Sequence, residues 1–299
     1  MDFLILVPVF ILGTIIGSFL NVVIYRYNSG LSPLKGRSQC FACGKILHWY
    51  ELIPIVSFII ERGRCANCRV KLSWQYPVVE IFSGIIFVVV YVLGKTLPET
   101  IYLLVIFSTL LVIAVYDLRH KIIPDGLVAF FAVLSLVWFL WTTGVSRVFY
   151  FPHYWTLIAG PLLFFPFVAL WVISKGKWLG LGDGKLALGI GWFLGSALGG
   201  SAIMLAFWIG AGFALCAMGA QRAKPEFIKF VKFIKSIKSN TNVPTFNFMN
   251  FKNFTNGAVS HFSLKSEIPF GPFLILGVFI VYFTKVNFFD GSINLFSLL

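Results

Sequence analysis

Charge is scarce in this sequence: 12% of its 299 residues are Asp, Glu, Lys or Arg, about half the share found in a soluble domain. Acids are scarcer still, eleven in all. Long apolar stretches recur from end to end in a chain that is 59% hydrophobic, which excludes a globular enzyme held by one anchor. The short alternating segments of an outer-membrane barrel are missing. The backbone must therefore close its hydrogen bonds inside helices, because lipid offers no partners. No basic region precedes the first apolar run and no small-residue cleavage site follows it, so that run reads as a retained helix rather than a signal peptide. A glycine-rich nucleotide signature is absent as well.

What is present predicts an all-α polytopic membrane protein. Runs long enough to cross a bilayer occur at 3–25, 77–94, 99–117, 124–143, 154–174, 184–198, 200–219 and 269–285, eight in number. The split between the sixth and seventh rests on Gly195, Gly199 and Gly200. The net charge of +13 would suggest nucleic acid in a soluble chain. Here it follows the topology. Alternate loops (26–76, 118–123, 175–185 and 220–268) hold 21 of the 24 Lys and Arg, and the other side holds Lys95, Arg147 and Lys285. The positive-inside rule makes the rich side cytoplasmic and places both termini opposite. Lipid is the expected partner, and nucleic acid is not.

The expected organisation is a first helix (1–25), a polar cysteine loop (26–76), a membrane core (77–219), a basic insertion (220–268) and a last helix with its tail (269–299). Within the insertion, Glu226–Ile237 repeats Phe and Lys at spacings that suit an amphipathic surface helix, with a plain Lys-rich linker as the alternative.

The loop carries Cys40, Cys43, Cys65 and Cys68, a CxxC pair, 21 residues, and a second CxxC pair. Four thiolates complete a tetrahedral zinc shell with no open position, so such a site is structural. The reducing cytoplasm argues against disulfides; an iron–sulfur or redox role, or unliganded thiols, are the alternatives. Cys216 lies in an apolar helix and reads as packing.

Two of the few acids stand at helix ends on the cytoplasmic side: Asp117, closing a long apolar run, and Asp183 in Gly180-Leu181-Gly182-Asp183-Gly184-Lys185. Though 66 positions apart in sequence, they can meet. Two facing carboxylates sharing one proton can hydrolyse a peptide without metal; the plainer alternative is that each ends a helix at the interface. A helix N-terminus at Asp183 favours its ionised form and points to Asp117 as proton holder. Asp125, after Pro124, suits a first-turn acid, with proton sharing as the alternative. Lys185 either balances Asp183 or snorkels. Glu80, inside the second span, pairs with Arg69 or Lys71 or holds a polar substrate group. Asn21 wants a partner within the bundle, and Arg26 reads as an interfacial anchor. Gly13 with Gly17, and Gly191, Gly195 and Gly199, permit close helix packing.

In their order, these residues resemble the bacterial type 4 prepilin leader peptidases. The resemblance runs through Gly17-Ser18-Phe19-Leu20-Asn21-Val22, Tyr25-Arg26, Gly36-Arg37-Ser38, the first cysteine pair, Glu51-Leu52-Ile53-Pro54, Ser57, Gly63-Arg64-Cys65, Cys68, Tyr76-Pro77 with Glu80, Asp117-Leu118-Arg119, Ile123-Pro124-Asp125, and Gly180-x-Gly182-Asp183-x-Lys185. It covers roughly residues 10–200. It implies a membrane aspartic protease of the inner membrane with Asp117 and Asp183 as the catalytic pair and Asp125 and Lys185 as supporting groups. The implied substrates are prepilins or pseudopilins, cut after a leader glycine. It also implies N-methylation of the new terminus from S-adenosylmethionine, with Glu80, Asn21 and Arg26 in the methylating region. The segment 221–268 is longer than that family leads one to expect.

Overall fold

The computed structural model describes residues 3–144, 154–222 and 269–289. Among the described residues the secondary structure is helical apart from isolated bridges in the cysteine loop. Its helices are α1 (Phe3–Arg26), α2 (Val56–Ile60), α3 (Gln75–Val92), α4 (Leu97–His120), α5 (Asp125–Thr143), α6 (Tyr154–Ser174), α7 (Leu181–Arg222) and α8 (Gly271–Thr284). Six of them are long and apolar enough to cross a membrane: α1, α3, α4, α5, α6 and α7; α8 is apolar but shorter. α7 spans 42 residues in two helical limbs that meet at a kink at Gly195, whose φ of 83° departs from helical geometry. Glycine adopts that conformation without a side-chain penalty. The sequence placed its break within this glycine-rich stretch, a few residues later. The basic insertion, with its expected helix at Glu226–Ile237, and Arg147 lie outside the described residues.

The chain forms two compact units, residues 1–88 with 214–267 and residues 89–213 with 268–299. In the first, α1 and α3 run antiparallel at very close range. A Cβ on Gly13 would stand 2.8 Å from Gly84 Cα, and one on Gly17 would stand 2.8 Å from Glu80 Cα. One turn on, Asn21 Nδ2 donates to the Tyr76 carbonyl at 3.1 Å. Small residues let the backbones approach where lipid supplies no hydrophobic drive between helices.

In the second unit α4 is central, packed against α5 and α8. Leu103, Ile106, Phe107, Leu110 and Ile113 of α4 are fully buried. Phe107 stacks among Phe193, Phe279, Tyr282 and Phe283. α4 opens with Thr96 and Glu99 in a capping box and Pro98 in its first turn. It closes on Lys121, a left-handed residue whose N–H donates to the Asp117 carbonyl at 2.7 Å. The helix thus stops just beyond Asp117.

Candidate functional site: a buried acid pair and a four-cysteine loop

Asp117 occupies the last turn of α4 and Asp183 the first turn of α7. Both are buried, at 3% and 7% exposure. Their environments differ. Asp117 Oδ2 accepts the Gly271 N–H, at the start of α8, in a buried bond of 3.1 Å. Asp183 Oδ1 is buried and accepts no hydrogen bond among the described residues. The Asp183 N–H donates to the Gly180 carbonyl at 3.2 Å, so the glycine-flanked turn fixes where α7 begins.

Two further residues close the site: Gly271, which the sequence reading did not name, and Ile123, which it met only within Ile123-Pro124-Asp125. A Cβ on Gly271 would lie 2.7 Å from Asp117 Oδ2, so the helix start can reach the carboxylate only as glycine. Ile123, in the turn between α4 and α5, lies 2.8 Å from where a Gly182 Cβ would be and 3.3 Å from where a Gly271 Cβ would be. One apolar side chain therefore spaces the first turn of α7 from the start of α8. The visible signal for Gly271 was its setting in Pro269-Phe270-Gly271-Pro272, a glycine between prolines at a helix entrance.

Lys185 does not balance Asp183. Its ammonium donates to Asp125 Oδ1 at 2.8 Å. That pair is open to solvent, with side-chain exposures of 40% and 72%, so Asp125 stands apart from the buried carboxylates and ends as a first-turn acid of α5.

In the other unit the four cysteines converge: their sulfurs all lie within 4.8 Å of one another, with Cys40 and Cys65 buried and Cys43 and Cys68 exposed. The Cys40 and Cys68 sulfurs are 3.8 Å apart. Tetrahedral zinc with ~2.3 Å zinc–sulfur bonds sets its sulfurs about 3.8 Å apart, so the cluster fits that ion without disulfides. The two halves share a backbone plan. Cys40 N–H donates to Lys45 O and Cys65 N–H to Val70 O, both at 2.9 Å. Leu47 N–H donates to Ser38 O and Leu72 N–H to Gly63 O, closing each half at the same offset. Gly44 and Arg69 hold matching left-handed positions. The repeat escapes the eye in sequence because glycine fills that position in one half and arginine in the other. Burial pushes the Cys40 thiol up to about 12. The Lys45 N–H brings the Cys43 thiol down to about 6, a thiolate ready for a cation.

Glu51 is buried beneath this loop. His48 N–H and the Lys45 ammonium both donate to its carboxylate, at 2.8 and 2.7 Å; with the His48 bond as the larger cause, they hold it below the usual carboxylate range. Arg26, at the end of α1, donates to the Ser32, Lys35 and Arg37 carbonyls at 2.8, 2.8 and 3.0 Å. It ties the entry of the loop, which is more specific than an interfacial anchor. Glu80 pairs with neither Arg69 nor Lys71. Its Oε2 accepts the Ile55 N–H at 2.8 Å, and Ser18 is a second partner. Asn21 Oδ1, Gln75 Nε2 and Ser83 Oγ are buried without a hydrogen-bond partner among the described residues. They belong to the same α1–α3 pairing as Glu80.

Comparison with known proteins gives two family matches: the bacterial peptidase A24 N-terminal domain over residues 11–93, and the type IV leader peptidase family over residues 104–215. A Myxococcus xanthus protein named prepilin leader peptidase/N-methyltransferase is 42% identical over 38% of this chain and 34% of its own length. Its Bacillus subtilis namesake is 31% identical over 70% of this chain and 82% of its own length. One from Dickeya chrysanthemi is 31% identical over 64% and 75%. The chain thus spans about a third of the first relative, 34%, and most of the other two. No solved structure matches the chain at a significant level.

Proposed function

We propose that this chain, which belongs to the bacterial type IV prepilin leader peptidase family, cleaves the leader from prepilin-like or pseudopilin precursors after a glycine and then N-methylates the new terminus. The observation that carries the first activity is the placement of Asp117 and Asp183, two buried carboxylates at the ends of α4 and α7 whose flanking residues Gly271 and Gly182 share one neighbour, Ile123. The second activity rests on the names of the relatives and on the first family match.

The two acids divide the work through their partners. An oxygen that accepts an N–H is suited to carry charge, and Gly271 supplies that donor to Asp117. Asp183 Oδ1 has no donor to oppose a proton. Asp117 is therefore the base and Asp183 the proton holder, the reverse of what the helix N-terminus at Asp183 suggests by itself. Asp117 takes a proton from water as its oxygen attacks the scissile carbonyl carbon. Asp183 gives its proton to the carbonyl oxygen. The tetrahedral intermediate, a gem-diol, then collapses: the C–N bond breaks, the proton held by Asp117 passes to the leaving amine, and one hydroxyl of the gem-diol returns its proton to Asp183 as the carboxyl group forms. A dry setting strengthens each of these hydrogen bonds.

Alanine at position 271 keeps the N–H but drives a methyl group against the Asp117 carboxylate. Displacing a reacting group by about 1 Å costs roughly 10²-fold; Gly271→Ala is expected to lose kcat on that scale with KM little changed, read by steady-state cleavage of a synthetic precursor. Lys185→Gln is the contrasting case. An exposed ion pair contributes only about 0–1 kcal/mol, so cleavage should fall less than about tenfold.

Zinc held by Cys40, Cys43, Cys65 and Cys68 is structural in this reading and supplies no open coordination position. S-adenosylmethionine is the methyl donor. The unpartnered acceptors Asn21 Oδ1 and Ser83 Oγ, with the Glu80 carboxylate, suit a cationic group such as a sulfonium or an amine. Counting the two limbs of α7 and the short α8 as crossings gives eight. The acid pair and the cysteine loop then face the cytoplasm of the inner membrane, with both termini opposite. The test is cleavage of a purified precursor in lipid by the full chain, with labelled methyl donor followed onto the released terminus.

A further inference from the structure

The cysteine loop carries an apolar surface that its own fold does not use. Within Trp49–Ile60, Phe58 turns inward, buried beside Gly63 with its ring tilted against Trp74 at a centroid distance of 4.9 Å. The large apolar residues around it turn outward. Trp49 is 77% exposed, Ile59 68% and Ile60 74%, with Tyr50, Leu52, Ile53 and Val56 also exposed. In a water-facing loop, so dense a run would be an association patch.

Three observations say what covers it. First, its depth is fixed. The Ile55 N–H, at the head of α2, donates to Glu80 Oε2, and Glu80 lies five residues into α3. At 1.5 Å per residue that is about 7 Å along the helix, which places α2 within the depth at which interfacial helices bury their apolar faces, about 5–10 Å. Second, the loop is rooted at both ends in apolar spans of the same unit, α1 and α3. Third, Arg62, Arg64, Arg69 and Lys71 are exposed and make no ion pair among the described residues. Exposed cations flanking an apolar ridge are the composition that anionic leaflets attract. The tie to Glu80 is also strained: Ile55 takes a φ of 62°, an outlier for a β-branched residue.

We propose that Trp49–Ile60 is an interfacial element that inserts into the anionic lipid leaflet beside α3, held at that depth by the Ile55–Glu80 hydrogen bond. Glu80 is then a positioning residue for the loop, a role separate from any contact with the methyl donor. The inference does not depend on the proposed activity.

The test uses the full chain in nanodiscs of phosphatidylglycerol and phosphatidylethanolamine containing brominated lipid. A fluorescent amino acid replaces Ile60 in one sample and Asn67, at the exposed second knuckle, in another. Quenching at position 60 is expected to exceed that at position 67 by about threefold or more, as burial of the ridge in acyl chains requires. Equal quenching at the two positions overturns the insertion, whether the ridge then faces water or another protein. Glu80→Leu should reduce quenching at position 60 to the level at position 67. Glu80→Gln, whose amide oxygen still accepts the Ile55 N–H, should preserve it. Unchanged quenching in Glu80→Leu overturns the tether. So does a joint loss of quenching and bound metal, which would mean that the whole loop had collapsed.

Discussion

Either Asp117→Asn or Asp183→Asn is expected to reduce precursor cleavage by about a thousandfold or more, and the double variant should be no worse than the worse single one. The two carboxylates act as one unit, so removing one leaves nothing for the other to do, and such effects do not add. Asp117→Asn would keep an oxygen for the Gly271 N–H but lose the base. Asp183→Asn would lose the acid proton at the oxygen that has no donor of its own. The change is nearly isosteric, so the packing around Ile123 should survive and substrate should still bind. Methylation of a precursor already cut should persist in both variants, because the residues expected to serve it lie in the other unit. Wild-type cleavage in either variant would remove the pair from the chemistry.

Removing the metal should have the second large effect. The loop from Arg26 to Gln75 has little core of its own: Cys40, Glu51, Phe58 and Cys65 are its buried residues short of Gln75. A structural zinc contributes on the order of 10–16 kcal/mol to comparable small folds. Gently purified, reduced protein should hold one zinc per chain, by elemental analysis. Stripping it with a strong chelator, or making Cys65→Ser, should open the loop to trypsin at Arg62, Arg64, Arg69 and Lys71, with cutting faster by on the order of 10²-fold or more. Methylation should fall further than cleavage. Metal-free protein that resists trypsin as well as the native protein would show that the four thiols need no ion. Iron in place of zinc would move the cluster to the redox alternative.

Much of this arrangement is legible in the sequence because lipid imposes strong local rules. Apolar runs mark the helices, the placement of Lys and Arg orders the loops, and a charge at the end of an apolar run stands out. Asp117, Asp183 and the two CxxC pairs need no more than that. The sequence conceals contacts whose partners are backbone atoms. Gly271 reaches Asp117 across 154 positions through an N–H that every residue but proline carries. Ile55 meets Glu80 in the same way, so a search for a charged partner named Arg69 and Lys71 instead. Lys185 illustrates the opposite error: its nearest acid in sequence is Asp183, but the turn between α4 and α5 brings Asp125 within reach. The eight apolar runs and the six long helices differ for a physical reason too. The kink at Gly195 divides α7 into two limbs, which answer to two of the apolar runs, and the last run forms a helix, α8, shorter than the other spans.

The most direct test is a structure of the chain bound to a precursor analogue in which a secondary hydroxyl replaces the scissile carbonyl. Such a group imitates the tetrahedral intermediate and binds where the reacting atoms converge. The hydroxyl should lie between Asp117 and Asp183, within hydrogen-bonding reach of both, with Gly271 N–H still on Asp117. A hydroxyl bound elsewhere, or the two acids drawn apart with the analogue in place, would contradict the assignment.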